Sequence, residues 1–259
     1  MKRIFLTILA FLLTSPAFGS WGALGSLGTG LDEDGLTTIT LTTTAALEAG
    51  NIGVCIVAAD NDGNGISDDY TTATDSAGNT WTVYAQNEAD PGAANAGAAV
   101  AIIAVKAGLE LALGGTITVT APDGPTKAAI TCREFSVTAT FVISQEGATG
   151  AEDSTGDAGL LTVGSLANRE HLFVRGIAAE TETTTTDMTL TTSYARFDEN
   201  GTTNGAEAAN MTVFGEYYIL TATTSTSNPT LPDTTNDNTS VMIALNEDAP
   251  AEGQAIVVD

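Results

Sequence analysis

Apolar and polar residues alternate in short runs along most of this chain. Thr37-Thr38-Ile39-Thr40-Leu41-Thr42 alternates with period two, as a strand with one buried face should. Residues 52–59 are instead continuously apolar, which predicts a central strand covered on both faces. Residues 79–84, 99–106, 116–120 and 128–137 continue the series, and 172–179, 188–194, 211–220 and 240–245 supply a later one. Clusters of Gly, Asp, Asn and Pro separate the runs, and no long helical periodicity occurs. The pattern predicts an all-β fold, an antiparallel jelly roll or β-sandwich.

The strands fall into two similar sets. One apolar run ends in Ala58-Ala59-Asp60 and another in Ala178-Ala179-Glu180. Residues 128–135 and 239–247 each run into acidic residues. Such pseudo-repetition is expected when one supersecondary unit is used twice. The sets, 36–143 and 160–248, are expected to interleave as one large jelly roll over residues 20–248, in preference to two small sandwiches. Residues 145–159 between them are acidic and Gly-rich and read as a surface excursion. Residues 249–259 read as a C-terminal tail.

The first residues have a different character. Met1-Lys2-Arg3 is basic, residues 4–13 are apolar, and Ser15-Pro16-Ala17-Phe18-Gly19 supplies a small-x-small pattern. This predicts a signal peptide over 1–19, cleaved between Gly19 and Ser20, with an uncleaved arm or anchor as the alternative. The apolar run is short for a bilayer span and no later stretch approaches membrane length. The mature chain is therefore expected to be secreted, on an extracellular or particle surface, without an integral span.

Composition narrows the partners. Hydrophobic residues make up 43% of the chain, enough for a real core. Eight Lys and Arg face 32 Asp and Glu, a net charge of −24. That field repels phosphates, so nucleic-acid binding is not expected. It favours solubility and divalent cations. Cys55 and Cys132 both sit in apolar, β-branched runs. They read either as one disulfide, if their strands are direct neighbours, or as two buried thiols.

Several motifs carry a likeness. They include Leu47-Glu48-Ala49-Gly50-Asn51-Ile52-Gly53-Val54, Asp75-Ser76-Ala77-Gly78-Asn79-Thr80-Trp81-Thr82 and Gly115-Thr116-Ile117-Thr118-Val119-Thr120. Glu134-Phe135-Ser136-Val137, Arg169-Glu170-His171-Leu172-Phe173-Val174-Arg175 and Ser227-Asn228-Pro229-Thr230-Leu231 continue it. Over most of residues 22–247 the chain resembles uncharacterised jelly-roll proteins of phage, environmental viral genomes and bacterial surfaces. The resemblance implies a concanavalin-like two-sheet sandwich and a structural, virion- or surface-associated role. Its most specific element, Asp75 to Trp81, is a turn-plus-strand signature, and the resemblance transfers no catalytic residue. The signal-like segment departs from a protein packaged directly into a phage particle and keeps a cellular surface in view.

Candidate chemistry is sparse. Asp60, Asp62 and Asn64 stand at alternate positions before Gly65, with Ile66 and Asp68 following, the opening of an EF-hand-like calcium loop. The twelfth position is Thr71, not Glu, so the competing reading is a solvated acidic turn. Calcium is the one cofactor expected. His171 is the only histidine and has no sequence neighbours for a zinc site or triad, so it reads as a structural or surface residue. There is no Gly-x-Ser-x-Gly elbow. Glu134, Glu180, Glu216 and Glu247 lie in or beside strands but form no tight glycosidase pair, and Arg133 offers Glu134 a plain salt bridge. Trp21, Trp81, Tyr84, Tyr194, Phe214, Tyr217 and Tyr218 are either core or sugar-stacking platforms. Sequons occur at Asn200, Asn210 and Asn238.

These features lead to a non-enzymatic extracellular structural protein, a self-assembling or decorating subunit of a virion, filament or cell surface. A carbohydrate-binding adhesion module is the competing class, and a glycosidase the third. The partners expected are further copies of the chain and glycans.

Overall fold

The computed structural model describes residues 20–60, 70–89, 97–121, 127–138, 142–153, 158–181, 188–204, 210–232 and 237–248. Among them are fourteen strands and no helix. The signal-like segment, its cleavage point, most of the acidic stretch 60–69 and residues 249–259 lie outside the described residues.

The first eight strands are β1 (Gly22–Asp32), β2 (Thr38–Thr42), β3 (Ile52–Asp60), β4 (Ala73–Asp75), β5 (Thr80–Ala89), β6 (Ala98–Lys106), β7 (Thr116–Thr120) and β8 (Ala128–Ser136). They form one sheet in the order β1-β8-β3-β6-β5-β4-β7-β2, all antiparallel. Its two ends approach each other. Thr44 N–H donates to Leu27 O at 2.8 Å, and a Cβ on Gly30 would lie 2.8 Å from Thr40 O. The sheet thus curls towards a barrel, which conceals edges that would otherwise invite pairing. Its interior holds Leu27, Ile39, Leu41, Val57, Trp81, Ile103, Val119 and Ile130.

The remaining strands are β9 (Val142–Asp153), β10 (Leu161–Glu180), β11 (Ala195–Arg196), β12 (Asn200–Gly201), β13 (Met211–Ser227) and β14 (Asn238–Asp248). They form a second antiparallel sheet in the order β11-β13-β10-β14-β9, with β12 also on β13. It packs on the outside of the curled sheet. Ile52, Val54, Ile56, Val100, Ile102 and Phe135 meet Leu172, Val174, Val213, Tyr217, Val241 and Ile243 in one shared core. Alternate residues of β3 therefore serve two cores: Val54, Ile56 and Ala58 face the second sheet, Cys55, Val57 and Ala59 the barrel interior. Both faces are buried, which is why residues 52–59 are continuously apolar.

Three expectations need correction. The two strand sets do not interleave; each forms its own sheet, because every ladder joins strands of the same half, and the sandwich forms between halves. Residues 145–159 are not simply a surface excursion, since β9 occupies Val142–Asp153 at the edge of the second sheet. Its glycines are there for space: a Cβ on Gly147 would lie 2.8 Å from Val163 Cγ1, and one on Gly150 3.0 Å from Asn87. Residues 188–194 are not a strand; they make one bridge, Thr189 to Thr230, and then a turn.

Cys55 and Cys132 stand directly opposite in β3 and β8, Cα atoms 4.1 Å apart, and are joined as a disulfide. The loop closed spans 77 residues, for which chain entropy gives about 4 kcal/mol.

Candidate functional site

The most specific sequence motif proves to be structural. One Asp75 oxygen accepts the backbone N–H groups of Ala77 and Asn79; the other accepts Asn79 Nδ2 and Trp81 Nε1. Asn79 then ties down a second turn: its Oδ1 accepts Gly108 and Leu109 N–H, and its Nδ2 donates to Leu109 O. Gly78, at φ +94°, supplies the left-handed step between them.

His171 is fully buried and bonds through Nε2 to Glu146 Oε2 at 2.7 Å. Glu146 is the extra residue of a β-bulge in β9, between the pairs Ala244–Gly147 and Leu245–Gln145. The bulge turns its carboxylate over the sheet. Burial alone would raise that carboxyl, but the Ala167 N–H, His171 and Arg169 together hold it below the usual range. Arg169 also pairs with Asp248 at 2.8 Å. The lone histidine thus hydrogen-bonds to a partly buried cluster of Glu146, Arg169 and Asp248.

Each carboxylate considered for glycoside cleavage has donors of its own. Glu134 accepts Glu48 N–H and Asn51 Nδ2. Arg133 does not supply the expected salt bridge: successive strand residues point to opposite faces, and it lies 5.0 Å above the Tyr217 ring, donating to Arg196 O. Glu247 accepts Thr138 N–H. Glu180 accepts Gly97 N–H at 2.9 Å, and burial, with Asp237 and Asp60 nearby, pushes its carboxyl up to about 7. Glu216 is fully buried and accepts Thr191 N–H, the Thr191 hydroxyl and the Ser227 hydroxyl.

Of the calcium-loop residues, Asp60 ends β3 and is buried, while Asp62, Asn64, Ile66 and Asp68 lie outside the described residues. Among the described residues no group of three His, Cys, Asp or Glu side chains is arranged to hold a metal. No described helix is long and apolar enough to cross a membrane. Asn210 and Asn238 are buried, which leaves Asn200 as the partly exposed sequon.

The aromatics separate into two groups. Trp21, Trp81, Phe214 and Tyr217 are buried, and Tyr84 packs against the shared core. Tyr194 and Tyr218 instead meet at an open cleft of about 430 Å³ on the outer side of β13. One wall is the loop 191–194, the floor is Tyr218 and Leu220, and the other wall is 224–226. The two rings touch, with centroids 5.3 Å apart and planes tilted by 45°. Tyr194 is fixed: its hydroxyl shares a 2.8 Å hydrogen bond with Ser225 Oγ. Burial pushes that phenol up to about 12, so it stays neutral.

A polar frame holds the cleft in shape. Glu216 anchors Thr191 through two hydrogen bonds, and Thr191 Oγ1 accepts Asn228 N–H. Opposite Glu216 in β10 stands Arg175, also fully buried. It donates to Gly159 O, Ser227 O, Ser227 Oγ, Ser240 Oγ and Ala158 O. Ser193 sits on the rim at φ +76°, a conformation costly for a side chain other than glycine or asparagine. The sequence marked Tyr194 and Tyr218 but not Thr191, Ser193 or Ser225. Those hydroxyls are lost among many similar Thr and Ser residues, and no periodicity distinguishes them.

No family model matches the chain, and no curated protein or solved structure matches it.

Proposed function

We propose that the protein is an exported, non-enzymatic component of an outer surface or particle that works by recognition, holding its ligand in the cleft of Tyr194 and Tyr218. The cleft carries this reading. Its volume falls within the ~300–1,000 Å³ of small-molecule sites, its frame is rigidly bonded, and its lining contains neither carboxylate nor imidazole. A site with fixed shape and no acid–base pair suits binding better than bond cleavage. The acidic charge suits an exported, soluble chain.

The test is a thermal-shift screen of residues 20–259 against neutral oligosaccharides, acidic oligosaccharides, quaternary amines and short peptides. At least one class is expected to raise the melting temperature, and Tyr218→Ala is expected to abolish the rise. Silence from every class, or shifts indifferent to Tyr218→Ala, overturns the reading.

The edge of the second sheet favours a further role in assembly with other copies. β9 pairs with β14 and, among the described residues, has no strand on its other side. A twelve-residue edge is a template for strand addition, and calcium held by the acidic residues of 60–69 would bridge like-charged copies. Light scattering with and without calcium decides this. A monomer at every concentration, indifferent to calcium, excludes it.

A further inference from the structure

We infer that the ligand of the cleft is a neutral saccharide, with one pyranose ring lying on the exposed side of Tyr218. The inference rests on the recognition reading above and adds the ligand's chemical class.

The lining decides between classes. Of its nine residues, six are Thr or Ser, two are Tyr and one is Leu. Three of those hydroxyls already have partners, Thr191 in Glu216, Ser225 in Tyr194 and Thr224 in Val163 O, and a mainly apolar ligand would desolvate the others, on Thr192, Ser193 and Thr226, at a cost for each. A ligand that is itself rich in hydroxyls satisfies them. Thr192, Ser193, Thr224 and Thr226 are exposed along both walls. Hydroxyls both donate and accept, so they match a partner carrying the same groups.

The rings decide between a stacked sugar and a bound cation. A quaternary ammonium ligand is held best when several aromatic faces enclose it. Tyr194 and Tyr218 lie against each other at 5.3 Å and leave no room between them. Tyr194 is also buried, and its hydroxyl is engaged by Ser225. Tyr218 is the half-exposed member. The pair therefore offers a single platform, with Tyr194 buttressing Tyr218 from behind. A ring with apolar C–H faces and polar edges fits a platform bordered by hydroxyls.

Charge decides between neutral and acidic sugars. No Lys or Arg lines the cleft, the Glu216 carboxylate behind it is offset by Arg175 beside it, and the chain carries −24. An anionic sugar meets repulsion with no compensating ion pair. Because the cleft is open, internal units of a longer chain are accommodated as well as termini.

The experiment is an NMR titration of ¹⁵N-labelled residues 20–259 with cellohexaose, maltohexaose, xylohexaose and mannohexaose, beside a polygalacturonate oligomer and choline. At least one neutral hexaose is expected to shift the amides of residues 191–194 and 218–226. Tyr218→Ala should weaken that binding at least about tenfold, while Tyr218→Phe, which keeps the ring, should stay within about threefold. The polygalacturonate oligomer should bind at least about tenfold more weakly than the neutral sugar. A retained parental spectrum outside the cleft, and Tyr218→Phe as the second variant, separate lost binding from lost folding. If choline or the acidic oligomer binds and no neutral hexaose does, the saccharide inference fails while the recognition reading stands. If no probe shifts these amides, the saccharide inference fails outright; the broader screen then judges recognition.

Discussion

At the scale of single residues, several polar and charged groups among the described residues are turned inward. Arg175, His171 and Glu216 are fully buried, and each is held by partners on other elements or across a sheet. Glu180 is the least comfortable of these groups. It is buried at the end of β10, its bond from Gly97 favours the charged form, and Asp60 and Asp237 oppose that form. Its folded pKa of about 7 stands above the ordinary 4.5. Between those values the folded chain holds a proton that the unfolded chain has released. Stability is therefore fullest below pH 4.5, declines as pH rises towards 7, and is level above. Glu180→Gln keeps an acceptor for Gly97 and removes the charge. Urea unfolding should find the variant more stable than the parent at pH 8, by up to about 3 kcal/mol, with the gap closing near pH 4.5. A gap independent of pH would show that the charge is not the cause. The sequence identified Glu180 as the acid closing an apolar strand. It did not reveal the three elements that converge on it, because Asp60, Gly97 and Asp237 are far apart in the chain.

At the scale of elements, legibility followed side-chain size. The runs at 52–59, 99–106, 116–120 and 128–137 announced β3, β6, β7 and β8 because β-branched residues fill both faces or alternate ones. β9 was hidden because Gly147 on its outer face and Gly150 on its inner face are small so that Val163 and Asn87 can approach. Packing overrides low strand propensity there. The 75–81 motif was legible as a turn and strand, but its reason was not: the turn carboxylate satisfies the indole N–H of Trp81, a buried side chain of the barrel interior. Asp75→Ala removes the acceptor of four donors at once. It should cost about 2–4 kcal/mol in urea unfolding, and Asp75→Asn should restore part of the loss. An Asp75→Ala chain as stable as the parent would make the motif dispensable to the fold.

At the scale of the whole molecule, the sandwich depends on a fit that neither half displays alone. Gly176 and Gly215 are directly opposed in β10 and β13 and form a bare patch on the inner face of the second sheet. Ile56 of β3 enters it. A Cβ on Gly176 would lie 2.6 Å from Ile56 Cγ2, and one on Gly215 would collide with Ile56 Cδ1. In the sequence each glycine reads as an interruption of an apolar strand. Its purpose appears only when β3, more than a hundred residues earlier, lies across it. This contact joins the two halves, since the same face of β3 carries Ile52 and Val54 into the shared core. Gly215→Ala should destabilise by about 1–3 kcal/mol through overpacking. Ile56→Val alone should cost about 0.5–1.5 kcal/mol through the lost methyl. Together they should cost less than the sum, because shortening Ile56 makes room for the added methyl, and the double-mutant cycle should return a coupling of about 1 kcal/mol. A parent that unfolds in one transition, with this coupling present, ties both sheets to one folding event. Strict additivity would mean that Ile56 and Gly215 do not meet, and the packing of the second sheet on the first would have to be redrawn.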